Sequence, residues 1–457
     1  MSSFKKLYSF FITSIMVLLS AMIISISLEQ TSYAQLPPPN GVADMLTVAN
    51  LSNNMGDSVY PQTESSGDNV YLVWQDNTYG NNRLNYEILF MASLDGGKTF
   101  GDVMILSNNS GFSDHPQIAV NGTNVYVIWA DNTNLNRDIY LISSLDGGKT
   151  FGDVINLSNN TADSHNQEIS VSSDNVYVTW LDSQKDLQGN SNMSFISSLD
   201  GGKTFGDIIT LSNDAIKSSY PKISSYEDDV YISWNVNSEG HLLSKEDINN
   251  IDITENITGN NDGIYFVKST DNGVTFDEEQ KISGAAQPSE TQIASSNGNV
   301  YIVWGSPDPS ATDRSSNDIL IGDEAGTSDS NNSDIITEGD GIYFINSTDR
   351  GNTFTKPTFI KENFQNPLNI EIVEYSGQLV LAIQATPLDS MTGENQEIYL
   401  VRSQDGGNSF TNATNISNNA GISECPSMTV LPNNVLFVVW QDKSAGNNEV
   451  FAIKQTL

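Results

Sequence analysis

Apolar and polar positions along residues 116–158 form a unit that the rest of the chain repeats. PQIAV (Pro116–Val120) is followed by a short polar loop, then NVYVIWAD (Asn124–Asp131), DIYLISS (Asp138–Ser144), a glycine turn and FGDVINLS (Phe151–Ser158). Each apolar run is short, rich in Val, Ile, Tyr and Trp, and bounded by turn formers, which predicts four strands per unit. The chain beyond its N-terminal segment carries no helical period. The strand that ends in Trp recurs as VYLVW (to Trp74), VYVIW (Trp129), VYVTW (Trp180), VYISW (Trp234), VYIVW (Trp304), LVLAIQ (to Gln384, without Trp) and LFVVW (Trp440), seven times in all. The last unit stops at EVFAIKQTL with no fourth strand. The missing strand stands at the other end, where ADMLTVANLSNN (Ala43–Asn54) matches GDVMILSNN (Gly101–Asn109). A repeat that cannot bury its own face belongs to a ring or stack, and closing the ring removes exposed edges.

The glycine turn is SLDGGKTFGD, present verbatim at Ser93–Asp102, Ser144–Asp153 and Ser198–Asp207, with looser copies from Ser269, Ser347 and Ser403. Its aspartates, Asp95, Asp146, Asp200, Asp271, Asp349 and Asp405, are placed to accept hydrogen bonds from the N–H groups of their own turns. The threonines (Thr99, Thr150, Thr204) are expected to tie the turn to the next strand, and Phe100, Phe151 and Phe205 to plug the gap between sheets. The pattern S-x-D-x-G-x-[ST]-F resembles the Asp box, or BNR repeat, of sialidase-like β-propellers. That resemblance implies an all-β propeller of four-stranded blades with the boxes at the periphery, away from the ligand face. With the strand count it predicts seven blades closed by the N-terminal strand; sialidases have six, which is the alternative.

Composition adds a boundary and a charge. Lys5 and Lys6 precede an apolar run from Leu7 to Leu28, and Ser32-Tyr33-Ala34 offers small residues for cleavage, so residues 1–34 read as a signal peptide cut after Ala34, or as a retained anchor. Residues 35–42 form a Pro-rich linker and 43–457 a single propeller domain. With 20 Lys+Arg against 56 Asp+Glu the net charge is −36, which repels nucleic acid and anionic lipid and favours solubility and cations. The location expected is secreted or cell-surface, as a monomer. Cys425 is the only cysteine, so no disulfide framework exists. Asn-X-Ser/Thr sequons such as Asn108, Asn121 and Asn192 are glycan acceptors in a secreted chain.

Most length variation falls on the face opposite the boxes, including acidic insertions within 235–263 and 305–341, and variable loops on a rigid scaffold are where binding usually resides. Ca²⁺ is the cation such oxygen-rich loops would hold, though neither matches an EF-hand spacing. On the same face a W-x-D pattern places Asp76, Asp131, Asp182 and Asp442, either capping the turn after each strand or forming a carboxylate rim. Register also aligns Tyr60, His115, Asn166, Tyr220, Glu290, Asn369 and Cys425 at the starts of the innermost strands, around the mouth of a central channel. Tyr and His there suit sugar stacking and hydrogen bonding, or simply line the channel.

The resemblance implies exo-sialidase chemistry, which needs three arginines on the substrate carboxylate, a Tyr–Glu nucleophile and an acidic acid/base. Arg83, Arg137 and Arg314 lie on ligand-face loops and are the weak candidates; no Arg occupies an innermost strand, and the expected Arg-Ile-Pro motif is absent. The sequence therefore favours a binding module for a glycan or an extracellular protein, without catalysis. The alternative is a divergent sialidase-like glycoside hydrolase.

Overall fold

The computed structural model describes residues 48–79, 85–134, 136–183, 191–212, 218–236, 263–283, 290–306, 341–360, 364–388 and 395–457. The residues read as signal segment (1–34) and linker (35–42), Arg83, Arg314 and most of both acidic insertions lie outside the described residues. Among the described residues every regular element is a strand, and no helix is long and apolar enough to cross a membrane.

The strands form seven four-stranded antiparallel sheets, so the chain is a seven-bladed β-propeller and the six-blade alternative is set aside. Within the first blade the order is Ser58–Ser66, Asn69–Asp76, Glu87–Ser93 and Met104–Ile105, from the innermost strand outward. The seventh blade takes three strands from the end of the chain and its fourth from the beginning: Ala49–Asn50 pairs with Glu449–Thr456, Ala49 opposite Ala452. Ser52 reinforces the closure, its Oγ donating to the Glu449 carboxylate and accepting from Val450 N–H at 2.8 Å.

Hydrophobic packing lies between blades, in seven clusters that each join two neighbours. The second strand of each blade shows why. In Asn69–Asp76, Val70, Leu72 and Trp74 pack with Phe437 and Val439 of the seventh blade, whereas Tyr71 and Val73 pack with Val125, Val127 and Trp129 of the second. Both faces are buried, so the strand reads as a continuous apolar run rather than an alternation. The sixth blade puts Ile383, opposite Tyr399, where its neighbours have Trp.

The repeated turn is a docking point for the preceding blade. In Ser144–Asp153 the Asp146 carboxylate accepts from Lys149 N–H, Thr150 N–H, Thr150 Oγ1 and Ser144 Oγ, and Gly148 N–H donates to Ser144 Oγ. The threonine hydroxyl thus turns back onto its own aspartate rather than reaching the next strand. That link is made by the backbone, Gly152 N–H to Ser143 C=O at 2.9 Å. Phe151 meets Phe90 of the first blade edge-on at 5.0 Å, as expected for a plug between sheets. Gly148 lies against the same ring: its φ is 77°, and a Cβ there would stand 2.5 Å from Phe90 Cζ, so both backbone and space demand glycine. A further bond, Gly147 N–H to Thr123 C=O, seats the turn on the inner hairpin of its own blade. These turns therefore sit at the end of the blades opposite the strand starts that carry Tyr60 and His115.

The turns make the fold sensitive to acid. Hydrogen bonds from Thr150, Thr204 and Thr353, hydroxyl first and backbone next, hold Asp146, Asp200 and Asp349 at about 2, below the usual carboxylate range. A carboxylate whose folded pKa is depressed stabilises the fold fully above pH ~4 and loses that contribution as pH falls through its folded value. The melting temperature should drop steeply between pH 4 and pH 2. Asp146→Asn should melt lower at pH 7 and show a shallower acid decline, as followed by circular dichroism; parallel curves would remove the turn from the account.

Candidate functional site

The geometry of the site begins with a backbone irregularity repeated around the ring. Near the start of an innermost strand the pairing register breaks, between Val59 and Gln62, Asp114 and Gln117, His165 and Glu168, Ser219 and Lys222, and Glu424 and Ser427. Inside each break sits a residue with positive φ: Tyr60 (52°), His115 (50°), Asn166 (53°), Tyr220 (51°) and Cys425 (52°), with Asn369 (41°) in the sixth blade. Four of these five breaks have proline next (Pro61, Pro116, Pro221, Pro426), which supplies no N–H to the ladder there. Left-handed backbone at non-glycine residues is costly and persists only where surroundings enforce it. Here glutamines of the preceding blade help enforce it. Gln441 accepts from Tyr60 N–H at 3.0 Å, Gln75 from His115 N–H at 2.8 Å and Gln384 from Cys425 N–H at 2.9 Å.

All seven residues expected at the channel mouth come together, six of them as positive-φ residues and Glu290 as the residue just before Thr291–Ser296. Tyr60, His115, Asn166, Tyr220, Glu290, Asn369 and Cys425 line one cavity of about 630 Å³. The Tyr60 and His115 rings lie 4.3 Å apart at a 38° tilt, and Tyr60 and Tyr220 remain 36% and 42% exposed. Asn369 Nδ2 contacts Gln384 Oε1 at 2.6 Å and Cys425 Sγ at 3.6 Å. Burial pushes the Cys425 thiol well up, so it is not a nucleophile near neutral pH.

Two residues further along, six of the seven innermost strands add a second layer that sequence reasoning missed: Gln62, Gln117, Glu168, Lys222, Gln292 and Glu371. Lys222 Nζ pairs with Glu168 at 2.5 Å, both side chains largely buried. Burial disfavours the Lys222 charge, but Glu168 and then Glu290 more than offset it and raise its pKa, so it stays protonated. Burial pushes Glu371 up to about 8, with Lys222 only partly opposing, and deeper along the first blade's strand it pushes Glu64 up to about 7. These residues differ from blade to blade and so leave no repeat to read; the alternation of strand positions was the signal that could have found them.

The other candidates are placed elsewhere. Asp76, Asp131, Asp182 and Asp442 are buried and engaged in structural hydrogen bonds. Asp76 takes donors from Asn54 (2.7 Å), Ser58 (2.6 Å), Trp74 Nε1 (3.1 Å) and Thr78 N–H (2.7 Å). Asp442 repeats this set with Asn419, Ser423, Trp440 and Ser444. None of the four lines the cavity. Arg137 lies between Asp114 (3.7 Å) and Asp163 (3.9 Å), Arg350 pairs with Asp229 at 2.6 Å, and Arg402 bonds Gln455 and the Thr456 carbonyl. Among the described residues no arginine lines the cavity, and no three His, Cys, Asp or Glu side chains are grouped to hold a metal ion.

A carboxyl raised above its unfolded value weakens the fold as pH climbs between the two values and by a constant amount above both. Glu371→Gln should therefore leave the melting temperature unchanged near pH 4 and raise it by a few degrees above pH 8. A constant difference across this range, measured by scanning calorimetry, would contradict the burial assigned to Glu371.

No family model matches the chain, and no curated protein matches it. Among solved structures it is similar to the sialidase of Trypanosoma rangeli (10% identity, 89% of this chain and 55% of that one, TM-score 0.45). It is also similar to a mutant NanB sialidase from Streptococcus pneumoniae (12%, 94% and 72%, 0.46). A protein of unknown function from Dyadobacter fermentans compares at 11% identity, with 92% and 99% covered and a TM-score of 0.47. The chain spans about half the length of the Trypanosoma enzyme. At these identities and scores no activity follows from the likeness.

Proposed function

We propose that this chain is a secreted or cell-surface binding module that holds a segment of glycan at the mouth of its central channel without turning it over. The observation that carries this reading is the ring of seven strand-start residues around one preformed cavity. Tyr60 and Tyr220 offer partly exposed faces for the C–H surface of a sugar ring, and Asn166, Gln62 and Glu290 offer donors and acceptors for hydroxyls. The cavity is of ordinary ligand size, and its walls are held by a closed ring, so little ordering opposes binding. The six S-x-D turns, read as Asp boxes, serve the fold at the opposite end. Secretion follows from the reading of residues 1–34.

An anionic sialoside is disfavoured. Its carboxylate would call for an arginine fork, and the described arginines are occupied at a distance from the cavity. One observation favours a glycoside hydrolase as the second reading. A Glu371 carboxyl protonated near neutral pH shares the cavity with the Glu168 carboxylate, and acid and base roles in glycoside hydrolysis need such a pair.

Screening the secreted chain against a glycan array, followed by calorimetry, should find at least one bound oligosaccharide that is recovered intact. Tyr220→Ala should weaken it by about tenfold with no change in melting temperature, because the ring is exposed and packs no core. Release of a reducing sugar would favour the hydrolase. Absence of any bound glycan, or an indifferent Tyr220→Ala, would contradict the proposal.

A further inference from the structure

Positive and negative groups are unequally supplied in the channel cavity, where Lys222 stands among Glu168, Glu290, Glu371 and Glu424. Lys222 is the one cation among its described lining residues other than a protonated His115, and its Nζ is given to Glu168. Glu290 and Glu371 line the same cavity and receive no hydrogen bond from any described residue, while Glu424 receives one, from Gln441 Nε2 at 2.9 Å. Gln167 adds an independent sign. Its Nε2 donates to the backbone carbonyls of Asp114 and His115, which fixes the amide orientation. The opposite atom, Oε1, is left without a donor although the residue is only 2% exposed and stands in the cavity wall. Buried acceptors without donors are uncommon and call for a partner.

We propose that the ligand brings a primary ammonium group to these acceptors, so that the glycan held at the mouth is one with free amino groups, a 2-amino-2-deoxy sugar. This rests on the glycan reading above and narrows it. An ammonium carries three N–H donors and a full charge, which suits carboxylates and an amide oxygen together. The faces of Tyr60 and Tyr220 at the rim attract the same cation. The net charge of −36 draws it in from a distance. An N-acetylated sugar brings a single N–H and no charge, and an acidic sugar meets repulsion. A lysine side chain carries the same ammonium but leaves most of a 630 Å³ cavity and its aromatic rim unfilled.

The groups that face Glu371 are Lys222, Glu168, Glu64 and Glu290. With burial holding its pKa at about 8, Glu371 is protonated in the free protein at pH 6 and ionises when a cation arrives. At pH 6 most of the sugar amine is already charged, so the proton lost by Glu371 outweighs any taken up and binding releases protons on balance.

The test is titration calorimetry of the full chain at pH 6 with the glucosamine trimer, the N-acetylglucosamine trimer and trilysine, in two buffers of different ionisation enthalpy. The glucosamine trimer should bind at least tenfold tighter than the acetylated one and release protons. In Glu371→Gln the preference should fall below threefold and the proton release should vanish. Glu290→Gln should also reduce the preference, which keeps the test valid if the first variant folds poorly. Equal or tighter binding of the acetylated trimer overturns the inference and leaves the glycan reading standing. Binding of neither trimer overturns the inference and leaves the glycan reading to the array, and tighter binding of trilysine overturns the sugar assignment.

Discussion

Everything in this molecule depends on a sheet that is apolar on both faces. A four-stranded blade whose second strand buries Val70, Leu72 and Trp74 on one side and Tyr71 and Val73 on the other has no solvent face to offer. It is stable only between two neighbours, and that holds for every blade, so the ring must close. Closure falls to a short pairing, Ala49–Asn50 on Glu449–Thr456, reinforced by Ser52 and Glu449. Burial supplies the stabilisation and the pairing removes the edge. The repeated turn serves the same constraint, pressing glycine and phenylalanine against an aromatic ring of the blade before it, as Gly148 and Phe151 do on Phe90.

The site is a consequence of how the innermost strands begin. With pairing interrupted at Tyr60-Pro61, His115-Pro116, Tyr220-Pro221 and Cys425-Pro426, each strand re-aims one side chain at the channel mouth through a left-handed residue. Gln441, Gln75 and Gln384 carry the hydrogen-bond deficit across to the next blade. The strain is thus shared between neighbours and held by the same closure that holds the core. The electrostatics of the channel follow from depth: carboxyls at Glu371 and Glu64 are far enough from bulk water that the neutral form competes, and Lys222, held by Glu168, only partly offsets the burial of Glu371.

Much of this was legible in the sequence because it repeats. The second strand, the glycine turn and the strand offered by Ala43–Asn54 gave seven blades and their closure, and aligning strand starts brought Tyr60, His115, Asn166, Tyr220, Glu290, Asn369 and Cys425 to one cavity. What was not legible occurs once. Lys222, Glu168 and Glu371 occupy equivalent places in different blades with different chemistry, and only the pleat of the strand says that they meet. The glutamine clips escaped because Gln75 and Gln441 follow buried tryptophans and read as strand continuation. The W-x-D aspartates left two alternatives open in sequence, and the structure places the oxygens of Asp76 and Asp442 on Trp and backbone donors two residues away and on Asn and Ser donors about twenty residues earlier, which local sequence does not reveal. For the threonine of the turn, sequence names the donor but not which of two nearby acceptors it reaches.

The central claim is that ligand meets the strand-start end of the ring and not the turn end. Hydrogen–deuterium exchange of the chain with and without a glycan mixture tests it most directly, because each end yields distinct peptides. The account predicts slowed exchange in segments containing Tyr60, His115 and Tyr220, with the turns at Ser93–Asp102, Ser144–Asp153 and Ser198–Asp207 unchanged. Protection confined to those turns, or no protection at either end, would contradict it.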